Sequence, residues 1–311
     1  DGHYYDFGAR RIAEGMGYSD SVAIGGSSVW HPWCHYPVGY SAFLGFFYWV
    51  FGSSPFVAHV VNAAVGALVA VLTWLVASHA LSPSRAKLAG ALAALHPGLV
   101  LYSALVMTEP LATLTTLIAF WIAVRDRNAI RGAILGALLL GVSALIRPTV
   151  LLLAPFLAFV AVPQSHTRAT LKRLGWAAAL SAVTLLPVLP WTARNCKVMD
   201  GCALVSTNAG WNLAIGAFPR ATGRFETLRS SDGCREVTGQ VQQDRCWFDY
   251  GVAQIKEHPL HWISLMPKKL GFTFDHESFA VEYLHEARPT WWTESRRSLG
   301  RAITSNAHRL L

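Results

Sequence analysis

The sequence predicts an all-α polytopic membrane protein, from its composition, the lengths of its apolar runs and the distribution of its charges. Only 14% of the 311 residues are charged and 53% are hydrophobic, with a mean hydropathy of +0.34. Soluble chains carry charge at roughly 25% of positions. Disorder is therefore excluded, and an ordinary soluble enzyme nearly so. Residues 56–192 hold 11 charged groups in 137 positions, whereas 193–311 hold 27 in 119. A membrane block is followed by a polar region.

Uncharged apolar runs lie at 56–81, 88–108, 110–124, 132–146, 148–163 and 174–193. A span needs about 20 apolar residues, and about 17 is the usual minimum. The first, second and sixth runs qualify by length, and the middle three depend on their flanks. Fusing 132–163 around Arg147-Pro148 into one kinked helix would give five spans. Loop charge favours six, because Arg85/Lys87, Arg125/Arg127/Arg131 and Arg168/Lys172/Arg173 then share the cytoplasmic side. That rule also explains the pI of 9.4 without a nucleic-acid partner, since the basic residues form no single patch.

Six spans place residues 1–55 and the polar region on the extracytoplasmic face, and define three regions: 1–55, the transmembrane block 56–193, and 194–311. The first region carries two Arg against Asp1, Asp6, Glu14 and Asp20, a net −2 that suits this side. Its stretch Tyr40–Gly52 is aromatic but too short to cross, and is expected to lie along the interface. Residues 1–18 read as a short amphipathic helix closed by Gly15 and Gly17, with Asp1 as a candidate N-cap. Asp6, Arg10 and Glu14 fall four apart, as exposed pairs do. Residues 248–270 read as another amphipathic helix. Gly132-Ala-Ile-Leu-Gly136 spaces small residues for close helix packing.

Four of the five cysteines, Cys196, Cys202, Cys234 and Cys246, lie in the polar region. An even number of thiols on an oxidising face reads as two disulfides. Cys196–Cys202 with Cys234–Cys246 is the short-loop pairing among three connectivities. No CxxC spacing supports zinc. His31-Pro-Trp-Cys-His35 offers two imidazoles and a thiol, but Pro32 disfavours a helical His pair, and an interfacial loop is the preferred reading. His59 and Asn62, one turn apart, are expected to bond each other or a neighbouring helix. Trp291-Trp292 with Arg296-Arg297 suits an interfacial anchor.

Two charges in the apolar block stand outside the basic loops: Glu109 before Pro110 and Arg147 before Pro148. Both map to the outer membrane boundary. Glu109 could simply favour a helix N-terminus, and Arg147 could snorkel to headgroups. Charges at this depth are costly without water or a partner, and that cost marks both as functional candidates.

Several motifs carry a resemblance. Asp1-x-x-x-Tyr5-Asp6-x-x-Ala9-x-x-x-Ala13-x-Gly15-x-Gly17-Tyr18 resembles the first extracytoplasmic loop of polyprenyl-phosphate-dependent GT-C glycosyltransferases, in particular glycosyltransferase family 39 and the aminoarabinose-transferase-like set, relatives of protein O-mannosyltransferases. His35-Tyr-Pro-Val-Gly-Tyr-Ser-Ala-Phe-Leu44, Phe51-Gly52, Thr108-Glu109-Pro110 and Gly141-x-x-Ala-Leu-Ile-Arg147-Pro148 continue it. Leu189-Pro-Trp-Thr-Ala-Arg-Asn195 and Ser206-Thr-Asn-Ala-Gly-Trp-Asn-Leu213 complete it, so that it covers about residues 1–225. Val38 and Ala209 depart from the family's Pro and Gly, which bears on loop geometry rather than on a reacting group.

The resemblance implies a GT-C fold of about six transmembrane helices with interfacial helices on the extracytoplasmic face. The chain would then be a fragment or processed chain lacking the family's first and C-terminal membrane helices. The implied reaction is an inverting transfer of a sugar from a polyprenyl-phosphate donor, of the undecaprenyl or dolichyl type, to a glycan, lipid or protein acceptor. Asp1 becomes the base or acceptor-orienting group and Glu109 a second acid. Arg147 and Arg194 are phosphate candidates with Arg10, Arg11 and His35 behind them, while Tyr5, Tyr40, Asn208 and Asn212 join the substrate-binding set. A carboxylate within reach of the acceptor hydroxyl and cations at the leaving phosphate are what such a displacement needs. No cofactor is identified, a divalent cation is left open, and the bilayer is the other partner. The expected location is the inner membrane, crossed several times, with the site on the periplasmic face. The rival readings are a transporter subunit and a non-catalytic GT-C scaffold. A transporter would put its ionisable groups near mid-bilayer, whereas here they gather at one face.

Overall fold

A computed structural model describes residues 1–24, 27–162, 169–229, 231–275 and 277–310. It is 73% helical, all-α apart from one hairpin. The chain divides into two compact units, Asp1–Trp30 with Pro37–Ala193, and His31–Tyr36 with Arg194–Leu311.

Helix α1 (Gly2–Ala13) opens the first unit with Asp1 as N-cap residue, although the Asp1 side chain does not bond the helix's first amides. Gly15 and Gly17 end it at φ 78° and 66°, values that residues with a Cβ rarely adopt. Strands β1 (Ser19–Ile24) and β2 (Ser27–Pro32) pair next. Helix α2 (Val38–Phe51) buries Tyr40, Leu44 and Tyr48 and exposes the aromatic rings of Phe46, Trp49 and Phe51. Gly45 lets it lie against α1, because a Cβ there would stand 2.9 Å from the Ala9 carbonyl oxygen.

Helix α3 (Pro55–Ala77) has the strongest local start signal: Ser54 Oγ accepts the Val57 amide at 3.3 Å and Pro55 pre-sets the first turn. Among the described residues it is the one helix both long and apolar enough to cross a membrane. The second apolar run, expected to be continuous, is broken into α4 (Pro83–Leu95) and α5 (Pro97–Ser103). Pro97 forces His96 into an extended conformation, and the His96 ring then caps α5 by accepting the Leu99 amide. Arg85 and Lys87, read as loop residues, lie within α4.

Helices α6 (Glu109–Arg125) and α7 (Ala129–Ala144) pack through the small-residue spacing: a Cβ on Gly132 or Gly136 would meet the Ala123 or Ala119 carbonyl oxygen at 2.6 and 2.9 Å. The fifth run becomes a 3-10 helix (Pro148–Leu157) and the short α8 (Ala158–Ala161), with Pro155 interrupting a regular ladder. Arg168 and the end of that run at residue 163 lie outside the described residues. The sixth run forms α9 (Ala169–Leu185) and α10 (Leu189–Val198), bent by 50° around residues 186–188. Leu140, Leu157 and Leu180 sit with Ala119, Ala137 and Ala158 in one apolar core.

In the second unit α11 (Ala209–Ile215) packs on α12 (Gln240–Glu257), whose N-terminus is capped by Asp200 through the Val241 and Gln242 amides at 3.1 and 2.9 Å. The disulfides are Cys196–Cys202 and Cys234–Cys246, the short-loop pairing. Phe218, Trp247 and Leu265 form its core. Arg220 grips Asp232 with two bonds of 3.1 and 2.8 Å, which holds that carboxyl below the usual carboxylate range. The expected helix over 248–270 is corrected. Pro259 starts α13 (Pro259–Ser264) after His258, and α14 (Met266–Asp275) follows with Pro267 in its first turn. Helices α15 (Phe279–Ala287) and α16 (Glu294–Leu310) complete the unit.

Two glycines test the packing of the first unit. A Cβ on Gly141 of α7 would collide with the Thr184 carbonyl oxygen and lie 2.8 Å from Pro187 Cδ, whereas Gly175 of α9 faces open space. Gly141→Ala is expected to lower stability by about 1–3 kcal/mol. Gly175→Ala should be neutral or stabilising by up to about 1 kcal/mol. Thermal unfolding of the two variants in detergent checks both.

Candidate functional site

The first unit gathers a polar cluster from segments far apart in sequence. Thr108-Glu109-Pro110 starts α6, so the Glu109 carboxylate lies at a helix N-terminus, where amide dipoles favour an anion. Arg147 follows α7 and precedes Pro148, which drives it into the extended region (φ −139°, ψ 109°). From there its guanidinium reaches back across the unit. Nη1 stands 2.6 Å from Glu109 Oε1 and donates to Thr108 Oγ1 at 3.3 Å. Glu109 Oε2 is buried and has no hydrogen-bond partner among the described residues. The remaining Arg147 nitrogens engage none of the described residues. The pair therefore offers one open acceptor and several open donors.

Three neighbours hold these ends in place. Asn62, only 1% exposed on α3, accepts the Tyr40 hydroxyl at 2.9 Å and donates to the Leu105 carbonyl at 2.7 Å. One amide thus ties α2 and α3 to the loop that leads into Glu109. The sequence left open whether Asn62 bonds His59 or a neighbour. It bonds neighbours, and His59 is exposed. The Gly39 amide donates to the Leu145 carbonyl at 2.7 Å, and a Cβ at Gly39 would be 2.7 Å from that same oxygen. The start of α2 is thereby fixed against the segment that ends in Arg147. The first turn of α1 abuts the same loop as Asn62, for a Cβ on Gly2 would stand 3.0 Å from the Val106 carbonyl oxygen. Tyr5 and Tyr40 meet edge to face at 5.5 Å.

The structure thus brings Glu109, Arg147 and Tyr40 into one neighbourhood, with Tyr5 against Tyr40 and the turn after Asp1 against Val106. Arg10 and Arg11 are engaged elsewhere. Arg10 Nε bonds Asp6 Oδ2 at 2.7 Å, which holds the guanidinium above its usual range, and Tyr48 donates to Asp6 Oδ1. Arg11 Nη2 bonds Ser19 Oγ at 3.0 Å and so closes the turn after α1. Tyr48 and Thr108 were not among the sequence candidates. Only the adjacency of Thr108 to Glu109 hinted at its role.

The second unit holds His35, Arg194, Asn208 and Asn212. Arg194 donates to the Trp33 carbonyl and to Asn195 Oδ1, each at 3.0 Å. Burial pushes His35 below the usual imidazole range, so that it is neutral near pH 7, and its ring edges against Tyr36 and Trp211. Asn208 precedes α11, accepts Ser206 Oγ at 3.0 Å, and takes the Asn212 side-chain amide on its carbonyl at 2.7 Å. Asp244 accepts the Gly210 and Trp211 amides at 2.8 and 3.2 Å, and burial raises its carboxyl above the usual range. Among the described residues no group of three or more His, Cys, Asp or Glu side chains is arranged to hold a metal ion.

Asn62→Ala leaves the Tyr40 hydroxyl and the Leu105 carbonyl buried without their partner. It is expected to cost about 1–3 kcal/mol, and Tyr40→Phe less. The drop in thermal midpoint should follow that order, and equal midpoints for wild type and Asn62→Ala would remove the role given to the amide.

The family model described as dolichyl-phosphate-mannose-protein mannosyltransferase matches residues 35–191, just over half of the chain. No curated protein and no solved structure matches. The matched stretch contains Tyr40, Asn62, Glu109 and Arg147, the residues that build the cluster. The chain belongs to the dolichyl-phosphate-mannose-protein mannosyltransferase family of membrane-embedded glycosyltransferases.

Proposed function

We propose that this chain carries the catalytic part of a multi-pass inner-membrane enzyme that moves a sugar from a polyprenyl-phosphate donor to an extracytoplasmic glycan, lipid or protein acceptor, with inversion. The single observation that carries the reading is the Glu109–Arg147 pair, with one buried carboxylate oxygen unfilled, on the loop against which the first turn of α1 rests. Cys196–Cys202 and Cys234–Cys246 support an oxidising, extracytoplasmic location for the second unit.

In this scheme Asp1 accepts the proton of the acceptor hydroxyl as its oxygen attacks the anomeric carbon. The bond from that carbon to the donor's phosphate oxygen breaks, and its electron pair leaves on the phosphate. Arg147 answers the charge that develops there with the guanidinium donors Glu109 does not use. Glu109 Oε2 accepts a hydroxyl of the sugar or acceptor, which satisfies an atom otherwise costly to bury. Tyr5 and Tyr40 are buried, so the substrate-binding role the motifs gave them becomes one of backing the cluster from behind. His35, Arg194, Asn208 and Asn212 are assigned to substrate binding through the motifs they occupy, and Arg10 and Arg11 to the support of α1.

Asp1→Asn keeps the shape of the side chain and removes the base. Transfer from an undecaprenyl- or dolichyl-phosphate-linked sugar should fall by about 10²–10⁴-fold in kcat with little change in donor KM. Transfer at the wild-type rate would contradict the role given to Asp1.

A further inference from the structure

Two segments of the second unit, 32–35 and 206–212, are held by one face of α12. Gln240 and Asp244 are four residues apart on that helix, so their side chains lie on the same side one turn apart. The Gln240 amide pairs with the first segment much as a neighbouring strand would. Its Oε1 accepts the Cys34 amide at 3.0 Å and its Nε2 donates to the Pro32 carbonyl at 3.3 Å. Arg194 takes the Trp33 carbonyl between them, and the Thr207 amide donates to the Cys34 carbonyl at 2.9 Å, which ties the two segments together. Asp244 Oδ1 accepts the Gly210 and Trp211 amides of the second segment. The fit there is close, because a Cβ on Gly210 would collide with the Asp244 carbonyl oxygen. The Trp211 ring so placed edges against His35 with ring centres 6.0 Å apart, and the Asn208 carbonyl takes the Asn212 side-chain amide.

We propose that Gln240 and Asp244 are positioning residues for the donor, acting through the two segments from which His35, Asn208 and Asn212 present their side chains. The inference rests on the substrate-binding role proposed for those three residues. Gln240 and Asp244 spend these bonds on main-chain groups, so their effect on a ligand passes through the backbone they fix. All four bonds end either within three residues of His35 or between Asn208 and Asn212. Bonds that served only to dock α12 would have no reason to converge on those positions. Both residues also lie beyond 35–191, the stretch that the family model matches. A side chain held within a few tenths of an ångström by its supporting hydrogen bonds binds more tightly than one that must be ordered by the ligand.

The test measures binding of undecaprenyl phosphate and of dolichyl phosphate to the full chain in lipid nanodiscs, for wild type, Gln240→Ala, Asp244→Leu and Asp244→Asn. Circular dichroism and the thermal midpoint establish which variants are folded. The Kd is fitted apart from the number of sites, so that partial unfolding, which removes sites, does not pass for weaker binding. Gln240→Ala and Asp244→Leu should each raise the Kd by about 3–10-fold, the weight of one or two hydrogen bonds. Asp244→Asn should stay within about twofold of wild type, because its amide oxygen can accept the same two N–H groups. Wild-type Kd in Gln240→Ala, or in a folded Asp244→Leu, overturns the inference even where the midpoint falls, since the bonds would then serve stability alone. Asp244→Asn as weak as Asp244→Leu overturns it too, for the charge and not the two bonds would be what counts. Gln240 lies on the first turn of α12, so Gln240→Ala decides the question if Asp244→Leu does not fold. Wild type that binds neither polyprenyl phosphate contradicts the proposed function itself and takes this inference with it, a result distinct from any confined to the variants.

Discussion

Glu109 and Arg147 lie 38 positions apart in an otherwise nearly uncharged block, each directly before a proline, and they meet at 2.6 Å. An exposed ion pair in water contributes about 0.2–1 kcal/mol, and these side chains are 30% and 42% exposed. The pair therefore does little to hold the fold together by charge alone. Its meaning lies in what it leaves open. Arg147 uses one nitrogen on Glu109 and Thr108, and Glu109 keeps a buried oxygen with no donor.

Much of the surrounding architecture keeps that pair in place. Both charges sit where a helix begins or has just ended, so their positions depend on how the helix ends are anchored. Asn62 anchors the loop before Glu109, and Gly39 anchors the segment before Arg147 through its own amide. The first runs from α3, where Tyr40 of α2 bonds Asn62, and the second from α2 itself, which lies on α1 because Gly45 admits the Ala9 carbonyl and Gly8 the Ser41 side chain. The small residues of α6 and α7 serve the same end, letting the two helices that carry Glu109 and Arg147 pack closely. The residues that distinguish the site from lipid-facing helix are thus a few polar groups and several missing side chains.

Local signals were legible. Ser54-Pro55 marks the start of α3, Gly52 the end of α2, and cysteine spacing the pairing of the disulfides. Interruptions inside hydrophobic runs were less so. His96-Pro97 splits a run that composition alone treats as continuous, and Pro259 with Pro267 splits the expected helix over 248–270, because a proline acts on the residue before it whatever the hydropathy of the window. The charges Glu109 and Arg147 stood out individually, yet nothing local announced that they meet. Spacing did point to the Asp6–Arg10 pair, four residues apart, but not to Tyr48 joining it, nor to Asn62 turning to Tyr40. Such contacts depend on which helices become neighbours, and residue order alone did not carry that information.

The central claim is that Glu109 and Arg147 act on the substrate as one unit. A double-mutant cycle with Glu109→Gln, Arg147→Gln and their combination, read as kcat/KM for sugar transfer from a polyprenyl-phosphate donor, addresses it directly. Each single change should impair transfer by a similar factor, and the combination should be little worse than either. The coupling should then exceed about 1 kcal/mol, well above the few tenths expected of independent sites. Losses that simply multiply in the double variant would contradict the claim and leave two separate charges.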